Sequence, residues 1–265
     1  MKLEVPEISV AAESHLGLVR RKNEDSFCVV HSKGGTAVLA VVADGIGGHS
    51  RGEIASYICC RDLAAAFSAA DESLFSEQEN VVRWLRETLL AANARICRLN
   101  RANLERSPMG TTVVCCVFSG DDFVMASAGD SRFYRLNNAA ELQQLSVDHT
   151  VFSNAVKRWK RSGAEALTVP GNVIFRAVGL RVNLEVDVVV QKRIPGSRYL
   201  LCSDGMYRYV NDDNIRNILM QSASPREVVN TCMRSALMAG GRDNVTVISL
   251  FDGKQQGGSN ESAER

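Results

Sequence analysis

The sequence predicts an α+β domain built on antiparallel sheets. Strand-like segments come in runs, helix-like segments come in pairs between those runs, and a polar turn joins two of the apolar segments as a hairpin. In the first run, residues 26–31 are short and apolar. Residues 36–43 (TAVLAVVA) form an unbroken, β-branched-rich stretch of the kind that is buried on both faces. A helix pair follows. Residues 53–67 are mostly Ala, Ile, Leu and Cys, and residues 79–104 place Val82, Leu85, Leu89, Ile96 and Leu99 along one face. The second run opens with residues 111–118 (TTVVCCVF), turns at Ser119-Gly120-Asp121-Asp122 and returns over 123–128, then alternates over 131–136 into Asn137-Asn138. Residues 184–191, 198–202 and 244–251 complete the strands. The last helix starts at Ser224-Pro225, an N-cap followed by proline at the first helical position. It presents Val228, Val229, Cys232, Met233, Ala236 and Leu237, and Gly240-Gly241 ends it.

Composition narrows the function classes. Lys+Arg is 31 against Asp+Glu 30, a net charge of +1, so no overall field draws the chain to nucleic acid or an anionic membrane. With 45% hydrophobic and 23% charged residues, it is neither disordered, collagenous, coiled-coil nor membrane-spanning. No repeat and no linker composition divides it, so one domain over 1–251 is expected, followed by a polar, disordered tail at 252–265. The eight cysteines include the adjacent pairs Cys59-Cys60 and Cys115-Cys116, and no CxxC or Cys/His ligand spacing occurs. Buried free thiols in a reducing, cytoplasmic compartment are expected. The first ten residues carry Glu4 and Glu7 and no apolar stretch, so no signal peptide is expected.

One pattern carries chemistry. An apolar strand ends in a small residue, and an aspartate beside Gly, Ser or Asn follows. It appears as Ala43-Asp44-Gly45, Gly129-Asp130-Ser131, Ser203-Asp204-Gly205 and Arg242-Asp243-Asn244. Any one of these is an ordinary turn dipeptide. Four at the ends of the most apolar strands are harder to dismiss, because a carboxylate just past a buried strand is rigidly held. If they met, each pair at about 4 Å would repel by about 4 kcal/mol at an effective dielectric near 20. Such a cluster requires cations, and all-oxygen donors select Mg²⁺ or Mn²⁺ over zinc. Whether they meet does not follow from these residues alone.

Read in order, the motifs resemble the metal-dependent PP2C (PPM) family of serine/threonine protein phosphatases. They run from Arg20-Arg21-Lys22-Asn23-Glu24-Asp25 through Asp44-Gly45-Ile46-Gly47-Gly48-His49, Gly110-Thr111-Thr112, Gly129-Asp130-Ser131-Arg132 and Asp148-His149. Arg176-Ala177-Val178-Gly179, Ser203-Asp204-Gly205 and Gly241-Arg242-Asp243-Asn244 complete the set. The similarity spans about residues 10–250, and the Asn-Glu-Asp and Gly-Gly-His forms resemble the bacterial branch. The resemblance implies a four-layer α-β-β-α sandwich, two central antiparallel sheets flanked by helix pairs, with the metal site at one edge. It implies two Mn²⁺ or Mg²⁺ ions bridged by Asp44. Glu24 and the Gly45 carbonyl would complete one ion's protein ligands, and Asp204 and Asp243 the other's. Asp130 would, with Asp204, hold a weaker third ion. Arg20 would bind the phosphate through its planar fork, and Asp25 would orient ligands and waters from behind.

Hydrolysis of phosphoserine and phosphothreonine on proteins, opposing a serine/threonine kinase, is the expected activity, and the expected chain is a monomer with no nucleic-acid or membrane partner. The alternative is a catalytically silent phosphoprotein-binding module on the same fold. One departure concerns Ile46, where many eukaryotic members carry a histidine proposed to protonate the leaving oxygen; a water in the site is the favoured source here, and His49 the other. Residues 148–179 correspond to the family's flap. There Lys157-Arg158-Trp159-Lys160-Arg161 reads as a solvated face, or as a docking surface for acidic or phosphorylated segments.

Overall fold

Two antiparallel sheets stack face to face, and helices cover both outer faces. The computed structural model describes residues 8–47, 51–102, 107–151 and 173–253. In chain order the elements begin with β1 (Ile8–His15), β2 (Asp25–His31), β3 (Ala37–Ile46), α1 (Gly52–Ala69), a 3-10 turn (Glu72–Ser76) and α2 (Gln78–Arg101). Then come β4 (Gly110–Thr111), β5 (Val113–Ser119), β6 (Asp122–Ala128), β7 (Arg132–Leu136) and β8 (Leu142–Gln144). The described chain closes with β9 (Asp187–Lys192), β10 (Arg198–Cys202), α3 (Asp204–Tyr207), α4 (Asp212–Gln221), α5 (Pro225–Met238) and β11 (Val245–Asp252). One sheet has the order β1-β11-β10-β7-β8; the other runs β2-β3-β5-β6-β9, with β4 pairing to the end of β3.

The period-two alternation of strand side chains assigns each residue to a layer. Along β3, Leu39, Val41 and Ala43 face α1 and α2, while Val38, Ala40 and Val42 face the opposite sheet. β5 does the same, with Cys115 and Val117 toward the helices and Cys116 and Phe118 inward. The unbroken apolar runs therefore belong to strands buried on both faces, although the sheets are antiparallel. Against the other sheet, α4 and α5 bury Ile215, Leu219, Val228, Val229 and Cys232 over Leu200, Cys202 and Val247. Between the sheets, Tyr199 stacks on Phe133 and meets Phe118 and Phe123 edge-on, at centroid distances of 5.0–5.8 Å. Each fully buried large side chain contributes about 1.5–3 kcal/mol through area removed from water. The four-layer α-β-β-α arrangement follows.

Cap chemistry sets the helix ends where the sequence placed them. Ser224 accepts from the Glu227 N–H, with Pro225 at the first position of α5. At the other end, the Gly241 N–H reaches the Ala236 carbonyl and Gly240 adopts φ +118°, closing the helix. Several boundaries move. The segment expected at 111–118 breaks at Thr112, whose backbone and hydroxyl turn to Asp44. The strand expected from 184 begins at Asp187, because Leu184 and Val186 pack against the helix-side core ahead of it. β1 and α4 were not expected. Asp252, placed in the tail by composition, is the last residue of β11: it is buried and holds the Arg193 guanidinium at 2.6 and 3.0 Å. All eight cysteines are free thiols, and all but half-buried Cys28 are buried. Burial lifts Cys115, Cys202 and Cys232 far above the ordinary thiol range. No described helix is long and apolar enough to cross a membrane.

Register decides where the strand ends fall. Asp25 at the start of β2 lies opposite Asp44 near the end of β3, and Cys202 at the end of β10 lies opposite Val247 near the start of β11. Cys202 is also opposite Arg132, the first residue of β7. The same end of both sheets thus carries Asp25, Asp44, Asp130, Asp204 and Asp243.

Candidate active site

Close backbone approach builds this end of the sandwich. A Cβ on Gly45 would lie 2.4 Å from the Gly52 carbonyl and 2.5 Å from that of Glu24, so glycine alone lets β3, the start of α1 and the loop before β2 meet. A Cβ on Gly205 would lie 2.0 Å from the Asn244 carbonyl oxygen, and it is this contact that brings Asp204 beside Asp243. The backbone of Asp44 is clamped from the GTT motif. Its N–H donates to Thr112 Oγ1 at 3.0 Å, and its carbonyl accepts from the Thr112 N–H at 2.8 Å and the Thr111 hydroxyl at 2.9 Å.

Electrostatics follow from the convergence. Asp44 keeps part of its surface open, yet its carboxyl lies deep in the recess. Burial first, then Asp25, Asp204, Asp130 and Asp243, push it well above the ordinary carboxylate range. Asp204 is lifted to about 6, chiefly by burial, with Arg208 opposing and Asp130 and Asp243 adding to it. Glu24 is raised by burial and by Glu53, against Arg20 and a backbone N–H of Gly52 at the start of α1. Asp130 is buried and raised by burial; Tyr207 donates its hydroxyl to Oδ2 at 3.2 Å, and Oδ1 has no hydrogen-bond partner among the described residues.

Asp25 stands behind this group. Its Oδ2 accepts from the Ser203 hydroxyl at 2.8 Å and the Thr246 hydroxyl at 2.6 Å, tying β2 to the opposite sheet. With its hydrogen given to Asp25, Thr246 accepts from Ser14 at 2.8 Å, and Ser14 accepts from Asn23 at 2.8 Å. Asp25 is pushed up to about 7, mainly by burial and despite those hydroxyls.

A cluster of hard, mutually repelling carboxylate oxygens fits a divalent cation of the Mg²⁺ or Mn²⁺ type. Among the described residues no three acidic, histidine or cysteine side chains are already gathered as a ready-made metal cage. Two of the chain's own cations lie among these carboxylates. Arg20 Nη2 pairs with Asp243 Oδ2 at 2.8 Å, and Arg208 Nη2 lies 2.8 Å from Asp204 Oδ2 and 3.5 Å from Asp130 Oδ2. Arg20, with half its side chain exposed, has further N–H donors turned to solvent. Ile46, half-buried at the end of β3, carries no proton to give. His49 and the basic stretch at 157–161 lie outside the described residues.

Sequence reasoning passed over the residues that hold the others. Asn244 is buried between the strands and the loop before β2. Its Oδ1 accepts from the Glu24 N–H at 2.9 Å, and its Nδ2 donates to the carbonyls of Leu16 and Lys22 at 2.8 and 2.9 Å. Asn244→Ala leaves these groups without partners, at a cost of about 1–3 kcal/mol for each one that stays buried. Expected is a Tm lowered by several degrees in thermal unfolding. A fall in kcat/KM of about tenfold to a hundredfold should accompany it, as Arg20 and Glu24 lose their seating; an unchanged kcat/KM would show that the loop is held otherwise.

This fold is that of bacterial serine/threonine phosphatases among solved structures. Stp1 from Staphylococcus aureus superposes with a TM-score of 0.82 at 30% identity, covering 95% of this chain and 97% of that one. The catalytic domain of the serine/threonine protein phosphatase PstP, solved in complex with two manganese ions, gives a TM-score of 0.78 at 30% identity over 93% of this chain and 99% of that one. In sequence, the serine/threonine phosphatase stp of Listeria monocytogenes is 32% identical over 233 residues, 88% of this chain and 91% of the relative. A sequence profile described as Protein phosphatase 2C matches residues 19–238. The chain belongs to the protein phosphatase 2C family.

Proposed function

We propose that this chain is a metal-dependent protein phosphatase that hydrolyses phosphoserine and phosphothreonine on proteins. The single observation that carries the reading is the convergence of Asp130, Asp204 and Asp243 on the buried Asp44 carboxyl, which their charge raises. Glu24, Asp44 and the Gly45 carbonyl are proposed to hold one Mn²⁺ or Mg²⁺, and Asp44, Asp204 and Asp243 the other. Cations bound by these oxygens supply an activated water and neutralise charge on the phosphoryl oxygens. The rest is done by the chain. Arg20 presents its free donors to two phosphoryl oxygens, fixing phosphorus for in-line attack by water opposite the seryl or threonyl oxygen. Water's oxygen bonds to phosphorus as the ester P–O bond breaks, and the departing alkoxide takes a proton from a second water in the recess, which is replenished by the proton that the attacking water sheds; Ile46 has none to offer. Asp25 keeps β2 and the Ser203–Asp204 turn in register through Ser203 and Thr246.

Phosphorylated proteins, including substrates of an opposing serine/threonine kinase, are the proposed partners, and the proposed working form is a monomer. No feature of the site favours a silent binding module. The test is release of phosphate from a phosphothreonine peptide as Mn²⁺ is titrated against a chelator, with Asp204→Ala in parallel. Turnover that rises with free Mn²⁺ and falls by about a thousandfold in the variant is expected, on the several kcal/mol that metal-assisted charge stabilisation supplies. A folded protein with no turnover at any Mn²⁺ or Mg²⁺ concentration would sink the reading.

A further inference from the structure

We infer that Arg208 is a built-in cation occupying the place between Asp130 and Asp204 that a third divalent ion would need, so that the loaded protein carries two metal ions and not three. The inference rests on the two-metal phosphatase reading. Arg208 closes α3, its N–H bonded to the Asp204 carbonyl at 3.1 Å, and its position four residues after Asp204 brings the guanidinium back over that carboxylate. Nη2 reaches Asp204 Oδ2 at 2.8 Å and Asp130 Oδ2 at 3.5 Å. Both carboxylates are shielded from water, with side chains 14% and 2% exposed, while the Arg208 side chain that reaches over them is 34% exposed.

Neighbouring residues fix the arginine's base. Tyr207 donates its hydroxyl to Asp130 Oδ2 at 3.2 Å, while the Arg132 guanidinium lies 3.7 Å from the Tyr207 ring centroid. Arg132 is itself held by Asp148 in a two-point contact at 2.8 and 3.1 Å and donates to the Tyr134 hydroxyl at 2.9 Å. α3 is thus braced from behind, and without Arg208 the Asp130 and Asp204 carboxylates would lose the positive charge they share. A divalent ion shared by Asp130 and Asp204 would have to bind against a permanent positive charge already on the same oxygens. Asp130 Oδ1, buried and without a partner among the described residues, is the oxygen that such an ion would gain once the guanidinium is gone.

The experiment counts Mn²⁺ bound to the full chain, by equilibrium dialysis with electron paramagnetic resonance of the free ion, up to millimolar Mn²⁺. Wild type, Arg208→Ala, Arg208→Gln, Arg208→Lys and the double variant Arg208→Ala/Asp130→Asn are compared, each with a cooperative unfolding transition as proof of folding. Expected are two ions for wild type and Arg208→Lys, three for a folded neutral variant, and a return to two in the double variant. Three ions in the wild type, or two in every folded neutral variant, would overturn the inference while leaving the two-metal reading intact. Fewer than two in the wild type would overturn both.

Discussion

Asp44→Asn is expected to abolish phosphatase turnover and at the same time to raise the melting temperature of the metal-free protein. The two effects have one cause. The Asp44 carboxyl is buried among Asp25, Asp204, Asp130 and Asp243, and burial with their charge lifts it well above the ordinary carboxylate range. Ionising it in the metal-free fold is unfavourable, so a neutral amide of the same shape relieves repulsion. The backbone clamp from Thr111 and Thr112 does not involve the side chain and survives the change. What is lost is the anionic oxygen proposed to be shared by two cations. Several kcal/mol of charge stabilisation go with it, which at 1.36 kcal/mol per factor of ten is about a thousandfold or more in kcat. Peptide hydrolysis at saturating Mn²⁺ and thermal unfolding in chelator read the two arms separately. Retained turnover would remove Asp44 from the metal centre, and a lowered metal-free Tm would show that its charge is not the burden this geometry makes it.

What the sequence disclosed, and what it did not, divides by the range of the interaction. The runs at β3 and β5 are legible because a strand buried on both faces admits nothing but apolar residues, whatever its partners. The start of α5 is legible because Ser224 and Pro225 act within four residues of each other. β1 was not, since ISVAAESH mixes small and polar residues; it reads as a strand only beside β11, whose register it follows from Ile8 to His15. α4 is an amphipathic helix with an Asn211 cap, but it is too short to announce itself over the noise of a polar segment. At the site, aspartates after apolar strands were visible, while their meeting was not, because it depends on Gly45 and Gly205 letting distant backbones touch. Asn244 is the extreme case: its partner Glu24 lies 220 residues away, and nothing local marks it as the residue that seats the Arg20 loop. Arg208 escaped for the opposite reason. A charged residue four after an aspartate looks like a solvated helical pair until Asp130 arrives on its other side.

Because the recess is a store of like charge, pH should move the stability of the metal-free protein in the direction opposite to that of salt-bridged carboxylates. Asp25 is lifted to about 7 and Asp204 to about 6, both mainly by burial, whereas a carboxylate in the unfolded chain titrates near 4. Between these values the folded state holds protons that the unfolded state has released. The unfolded state therefore binds fewer protons, and stability declines as pH rises from about 4 to about 7. Divalent cations reverse the sense, for they need the ionised carboxylates and bind the folded chain alone, so their added stability grows over the same interval. Thermal unfolding at pH 5 and 7.5, in chelator and in Mn²⁺, should show the chelated Tm falling with pH and the gap between the two conditions widening. Asp25→Asn, which removes the more strongly lifted of these two groups, should flatten the chelated slope while leaving the shares of Asp204 and Asp44. A chelated Tm that rises with pH would mean that Arg20 and Arg208 already neutralise the recess, and that its carboxylates have no need of a metal to be charged.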